Sequence, residues 1–296
     1  MTDADPEAVR TLLPELSVIP GHLIWRAAAR VTAALADSLP PGVDIHAYAA
    51  LLALAAGRAR SQQWLADSVA TSRTTMTKVA AALVEQGLVE RVRNPDDRRS
   101  YALTRTPSGA AAARRWRRHV EDLEESLTVG LSQAEREELC GLLLRVAEPR
   151  LSPETPDALL ESIPFLVTRV HGWNHAELMT ALRDLDVEPR HTGAMVALRA
   201  RGVIAQAELA RSLGTSGATV VEIVDHLERR GLVERRRLET DRRTQSLHLL
   251  PGADDVVAEA QRRAMSVTES ILGPVGAAGR QRLVVLLQKF VTGRPA

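Results

Sequence analysis

The chain predicts a mainly α-helical fold with small β-wings, an α+β class built from two winged helix-turn-helix units. Three observations lead there. The stretch from Ser61 to Leu103 recurs without a gap, so that Gly87-Leu-Val-Glu-Arg returns as Gly231-Leu-Val-Glu-Arg, 144 positions on. The same offset pairs Gln62 with Gln206, Leu65-Ala66 with Leu209-Ala210, Thr75 with Thr219 and Pro107 with Pro251. Each copy places two short helical periodicities ahead of two strand-like alternations.

Taken in order, a polar opening leads to a helix from about His22 to Ser38, bounded by Pro20-Gly21 and Pro40-Pro41-Gly42. Leu23, Ala27, Val31 and Leu35 form its apolar stripe. Asp44 to Ala56 reads as the first helix of a winged domain. Ser61 suits the cap of a short helix with Leu65, Ala66 and Val69 inward, and Thr71-Ser72 breaks it and caps the next. That next helix carries Met76, Val79 and Leu83 on one stripe, which frees its other face for a partner. Gly87 suits the left-handed position that ends it. Val89 to Arg93 and Ser100 to Thr104 then alternate as strands around a turn tipped by Arg98 and Arg99. A polar-faced helix beside an arginine-tipped hairpin suits double-stranded DNA. The helix fits the major groove, and the hairpin reaches the backbone or minor groove.

After the wing, Pro107 opens a helix to about Val129, and its Arg114, Arg115, Arg117 and Arg118 read as a wet face. Ser132 caps another helix, with Leu139, Leu142, Leu143 and Val146 along one side. Residues 148–157 form a proline-rich linker. The second unit repeats the order. A helical region from about Ala158 to Leu185 is broken near Pro164, and after the second winged domain come helices from Pro251 to about Leu272 and from Ala277 to Val291. The domains are therefore 1–147, with its winged helix at about 43–106, and 158–296, with its winged helix at about 187–250.

The combination Gln-x-x-Leu-Ala, Thr-x-Thr-[Arg/Lys]-x-x-x-x-Leu, Gly-Leu-Val-x-Arg and x-Asp-Arg-Arg resembles the MarR family of transcriptional regulators over about residues 43–109 and 187–253. The resemblance implies a helical dimerisation layer, usually formed by interlocked terminal helices of two subunits, and DNA release on binding a small aromatic effector. In this chain it implies a dimer fused into one polypeptide, a pseudo-two-fold monomer acting as a pseudo-dimer. The short linker permits that arrangement, and two chains exchanging units is the alternative.

Composition agrees. Apolar residues at 45% and charged residues at 25% belong to a globular chain, aromatics are scarce at 3%, and a net charge of +1 hides any basic face. One cysteine excludes an intrachain disulfide and fits a reducing cytoplasm. The longest apolar run, Ala47 to Ala56, is too short to cross a membrane.

The candidate DNA-binding residues are Ser61, Gln62, Arg73, Thr74, Thr77, Lys78, Arg98 and Arg99 in the first copy. Those of the second are Gln206, Arg235, Arg237, Arg242 and Arg243. The second copy departs from the pattern, because Gly217, Ala218, Val221 and Glu222 stand where the first has Arg73, Thr74, Thr77 and Lys78. A repressor with unequal halves is expected, the first reading bases and the second holding backbone through its wing.

A cleft for a flat organic anion is expected where His22, Trp25, Arg26 and Tyr48 converge, with His171, Trp173 and His175 as a parallel set. The bland reading places Trp25 in the core. His171 and His175 stand four apart, the spacing of a metal clamp, but a third ligand is missing, and no metal or cofactor is expected. Cys140 reads as buried and inert. No phosphate loop or nucleophile elbow points to an enzyme. The rival reading is a winged-helix adaptor that binds protein and has lost specific DNA binding.

Overall fold

The computed structural model describes residues 12–38, 44–94, 99–237 and 245–293. A short helix α1 (Pro14–Ser17) and a long helix α2 (Pro20–Ser38) precede the first winged helix. That consists of α3 (Ile45–Ala53), α4 (Gln62–Ser68), α5 (Arg73–Glu85), β1 (Val89–Arg93) and β2 (Tyr101–Arg105). Helices α6 (Pro107–Leu127), α7 (Gln133–Ala147), α8 (Asp157–Leu160) and α9 (Ile163–Ala181) follow. The second winged helix is α10 (Pro189–Arg201), β3 (Ile204–Ala205), α11 (Gln206–Leu213), α12 (Gly217–Arg229), β4 (Val233–Arg237) and β5 (Gln245–Leu249). Helices α13 (Asp254–Ile271) and α14 (Gly276–Thr292) come last.

Side-chain oxygens set the helix starts by accepting otherwise unpaired backbone N–H groups. Ser61 accepts from Trp64 at 3.1 Å, Ser72 from Thr75 at 3.0 Å, and Ser216 from Thr219 at 3.1 Å. Gly87 (φ 66°) and Gly231 (φ 65°) end α5 and α12 in the left-handed region, letting Leu88 and Leu232 donate back to Leu83 and Leu227 at 2.9 Å. The first wing pairs β1 with β2 antiparallel, with Val89 opposite Arg105 and Arg93 opposite Tyr101. In the second, β5 lies between β3 and β4. Several boundaries differ from the sequence reading. Helix α3 ends at Ala53, the linker contains a 3-10 turn at Glu148–Arg150, and Pro251–Ala253 is a 3-10 turn ahead of α13.

Packing sorts the chain into two compact units. The described residues of 31–128 and 136–169 form the first-wing unit, and those of 1–30, 129–135 and 170–296 form the second-wing unit. The segment before Val31 therefore packs with the second winged helix. Its Leu13 and Leu16 enter a core with Met195, Leu198, Ile223 and Leu227, and Gln288 on α14 donates to the Ser17 carbonyl at 2.8 Å. In the first-wing unit Leu51, Leu65, Met76, Leu83 and Leu103 bury together, joined by Trp116 and Leu159. Each buried leucine contributes roughly 2 kcal/mol through lost apolar hydration, so a shared apolar register produces the same fold twice.

Candidate nucleic-acid interface and ligand cavity

The apolar stripe of α5 turns Met76, Val79, Ala80 and Leu83 inward. Geometry then leaves Arg73, Thr74, Thr77 and Lys78 exposed together on the opposite face. Thr77 donates its hydroxyl to the Arg73 carbonyl at 2.9 Å, which leaves it an acceptor for a partner. Ser61 is occupied as a helix cap, and Gln62 starts α4 half-buried beside it. Arg99 is exposed at the end of the first wing. Arg98, Arg242 and Arg243 lie outside the described residues.

Helix α12 inverts this chemistry. Its outward positions are Gly217, Ala218, Val221, Glu222 and Asp225, all exposed. One expected phosphate contact, Arg235, has carboxylate partners within the unit. Arg235 pairs with Asp225 at 2.6 Å and with Glu228, donates to the Gln206 side-chain oxygen at 3.4 Å, and keeps 18% of its side chain exposed. Carboxylates on α12 thus engage Arg235, and the candidate Gln206 accepts from that same guanidinium. The corresponding first-wing residue, Arg91, is exposed, because Ala81 and Val84 stand where Asp225 and Glu228 would be. Arg237 closes β4, and Arg236 pairs with Glu234.

The second-wing unit contains a cavity of about 590 Å³, within the range of small-molecule sites. Helix α2 contributes His22 and Trp25, and α9 contributes His171 and His175. Opposite them stand Arg190 and Thr192 of α10 and Thr219 and Ile223 of α12, with α13 and α14 completing the wall through Met265, Thr268 and Arg280. Burial holds the His22 imidazole down to about 3, helped by Arg26, and its Nε2 is buried with no hydrogen-bond partner among the described residues. Burial, then His175 at a ring separation of 5.8 Å, holds His171 down to about 4. Both rings are therefore neutral at pH 7, and the cavity is apolar with a few hydrogen-bonding groups. Among the described residues, Arg190 and Arg280 are the two arginines of its lining.

The expected convergence on Tyr48 is corrected. Tyr48 is buried in the first-wing core, where burial raises its phenol above the usual range. The residue at its register in the second copy, Thr192, lines the cavity instead. Trp173 lies half-buried on α9 and is not part of the lining.

Arg26 is fully buried and faces away from the cavity role expected of it. Its guanidinium lies against Gly214, the left-handed residue (φ 64°) between α11 and α12, where a Cβ would run into it. In the first-wing unit Arg169 donates to the carbonyl of Ala70 (φ 49°), the residue at the register of Gly214. Each unit thus sets an arginine from an outer helix against its helix-turn-helix turn, Arg26 fully buried and Arg169 half-buried. Burial lowers both guanidinium groups, Arg26 to about 10.

Cys140 donates weakly to the Leu160 carbonyl at 3.7 Å, and burial raises its thiol to about 11, so it is a poor nucleophile. Among the described residues no cluster of three metal-ligating side chains occurs, and no helix is long and apolar enough to cross a membrane. Sequence reasoning passes over Arg190, Thr192 and Arg280. For Thr192 a signal existed, since it is the register partner of Tyr48.

Residues 42–100 and 188–244 each match a model of the MarR family. The chain is 37% identical over 115 residues to a transcriptional regulatory protein for the hcr operon of Thauera aromatica, covering 39% of this chain and 68% of that one. Among solved structures it is similar to Bordetella bronchiseptica BpsR, whose DNA binding is regulated by 6-hydroxynicotinic acid. Identity is 25% and the TM-score 0.42, over 44% of this chain and 92% of that one. It is also similar to wild-type MarR of E. coli in its apo form, with 20% identity and a TM-score of 0.38, over 43% and 94%.

Proposed function

Because the chain belongs to the MarR family of transcriptional regulators and carries the winged unit twice, we propose that it is a repressor released from its operator by a small organic anion. One chain supplies both halves of the DNA-binding pair. Helix α5 reads bases in one major-groove half-site, and the second winged helix holds the neighbouring half-site through its backbone. The observation that carries this reading is the exposed set Arg73, Thr74, Thr77 and Lys78, which supplies donors for guanine and thymine edges and for phosphates. The effector occupies the cavity of the second-wing unit, its ring against Trp25 and a polar group on His22 Nε2.

Selection of bound duplexes from a random pool, combined with light scattering of the complex, tests this. The expected result is one chain per duplex and a site with one strongly specified half, its second contact about one helical turn away. A palindromic site with equal information in both halves would overturn the division of labour. A stable two-chain species would overturn the fused pair in favour of exchanged units.

A further inference from the structure

Glu222 is the residue that makes α12 unlike a DNA-reading helix, and the structure gives it a specific neighbour. Arg190 Nη1 lies 3.3 Å from Glu222 Oε2, while Arg190 Nε lies 2.7 Å from Glu188 Oε2. Arg190 and Glu188 both line the cavity. Glu222 lies at the register of Lys78, on the face that α12 would turn toward a groove. One guanidinium therefore joins the cavity wall to that face.

We propose that Arg190 is a shared counter-ion, serving Glu222 when the cavity is empty and the carboxylate of an effector when it is filled. This rests on the cavity being the effector site. With Arg190 on Glu222, the α12 carboxylate is partly compensated and DNA tolerates it. An anion that draws the guanidinium inward bares Glu222 to the phosphates and weakens binding. The magnitudes allow the exchange. Arg190 is 39% exposed and Glu222 67%, and an ion pair that open is worth little against water. A carboxylate held in an apolar cavity makes a stronger charge-assisted bond, so the ligand wins the competition. The sequence departure at Glu222 then becomes the part through which ligand occupancy is read.

Two measurements test it, both on the full chain. The first needs no ligand. In a double-mutant cycle on DNA affinity at low salt, Arg190→Ala should weaken binding about three- to fivefold in the wild-type background and much less in Glu222→Gln. An equal loss in both backgrounds would overturn the link. The second uses benzoate and its neutral analogue benzamide. Benzoate should weaken DNA binding by wild type and not by Glu222→Gln, although calorimetry shows it bound to that variant at least as tightly. Benzamide should bind without releasing DNA. Benzoate that binds and releases DNA equally from Glu222→Gln overturns this inference and leaves the effector reading intact. No binding of benzoate to wild type counts against the effector reading itself, and the ligand-free cycle then decides the ion pair alone.

Discussion

The two recognition helices begin with the same cap, Ser72 and Ser216 accepting from the third residue on, and end at the same left-handed glycine. Between those points their buried stripes match, with Met76, Val79 and Leu83 against Val220, Ile223 and Leu227. Their outer faces have nothing in common. Helix α5 presents Arg73 and Lys78, whereas α12 presents Glu222 and Asp225 and uses further carboxylate chemistry to hold Arg235. Duplication separates two constraints that a single unit must meet together. The inward face is fixed by packing and cannot drift, since an ill-fitting core residue costs about 2–5 kcal/mol. The outward face is not held by packing, and on α12 it carries Glu222 and Asp225 instead of basic residues.

The largest expected difference between the units is acid sensitivity. His191 is buried and stacked on His226 with ring centroids 4.2 Å apart, and its Nδ1 accepts the Glu188 N–H at 3.0 Å. Burial, and then His226, hold it down to about 4. The folded imidazole is neutral between pH 6.5 and 4 while the unfolded one is charged. The unfolded state binds the extra proton, so stability falls as pH drops through that window, by on the order of 3 kcal/mol at its lower end. His171 and His22 add in the same direction. Ala47 stands at the register of His191 in the first-wing unit, where His46 is lowered too. Hydrogen exchange should show α10 and α12 losing protection well before α3 and α5. Equal loss in both, or a His191→Gln variant with unchanged acid sensitivity, would remove this distinction.

Next in size is base reading. Arg73→Ala or Lys78→Ala should cost about 1–3 kcal/mol on the preferred operator and relax one half-site. Val221→Ala should change affinity by less than about 0.5 kcal/mol, and Glu222→Ala should leave binding equal or tighter. Fluorescence anisotropy on the selected operator measures all four. A large loss at Glu222 would mean that α12 reads a cytosine and that the halves are both readers.

Much of this comparison was legible in the sequence. The caps, the terminal glycines, the inward stripes and the outward substitutions are local features, and local features survive in the order of residues. The cavity was not legible, because its wall comes from His22, His171, Arg190, Thr219, Thr268 and Arg280, brought together only by tertiary packing. The grouping of the N-terminal helix with the second winged helix decided which aromatics met. It put Trp25 beside that cavity and left Tyr48 in the other core. Arg235 shows a subtler limit. Its partners Asp225 and Glu228 are plain in the sequence, but only the return of β4 along α12 brings them within bonding distance.

The turns of the two helix-turn-helix motifs give a third contrast. Gly214 is held at φ 64° with the Arg26 guanidinium against it, and Ala70 occupies φ 49° with its carbonyl taken by Arg169. Gly214→Ala should cost about 2 kcal/mol, from the left-handed backbone and the displaced guanidinium. Ala70→Gly should lie within about 1 kcal/mol of wild type, since relief of the strained alanine offsets glycine's extra unfolded freedom. Thermal denaturation of both variants tests it. A large loss in Ala70→Gly would show that the methyl group packs, and that the turns differ for that reason instead.

The smallest effect separates the wings. Arg91 on β1 is exposed, while Arg235, its register partner on β4, is paired with Asp225 and Glu228. A phosphate contact releases a counterion, so removing one reduces the slope of log affinity against log salt by roughly one. Arg91→Ala should do this on every duplex, regardless of sequence. Arg235→Ala should leave the slope unchanged or make it slightly shallower, because it uncovers two carboxylates whose repulsion of DNA is itself screened by salt. That repulsion should appear as weaker binding at low salt and fade as salt rises. A drop of a full unit in the slope at constant high-salt affinity, matching Arg91→Ala, would mean that Arg235 leaves its ion pairs to meet DNA and that the wings are equivalent after all.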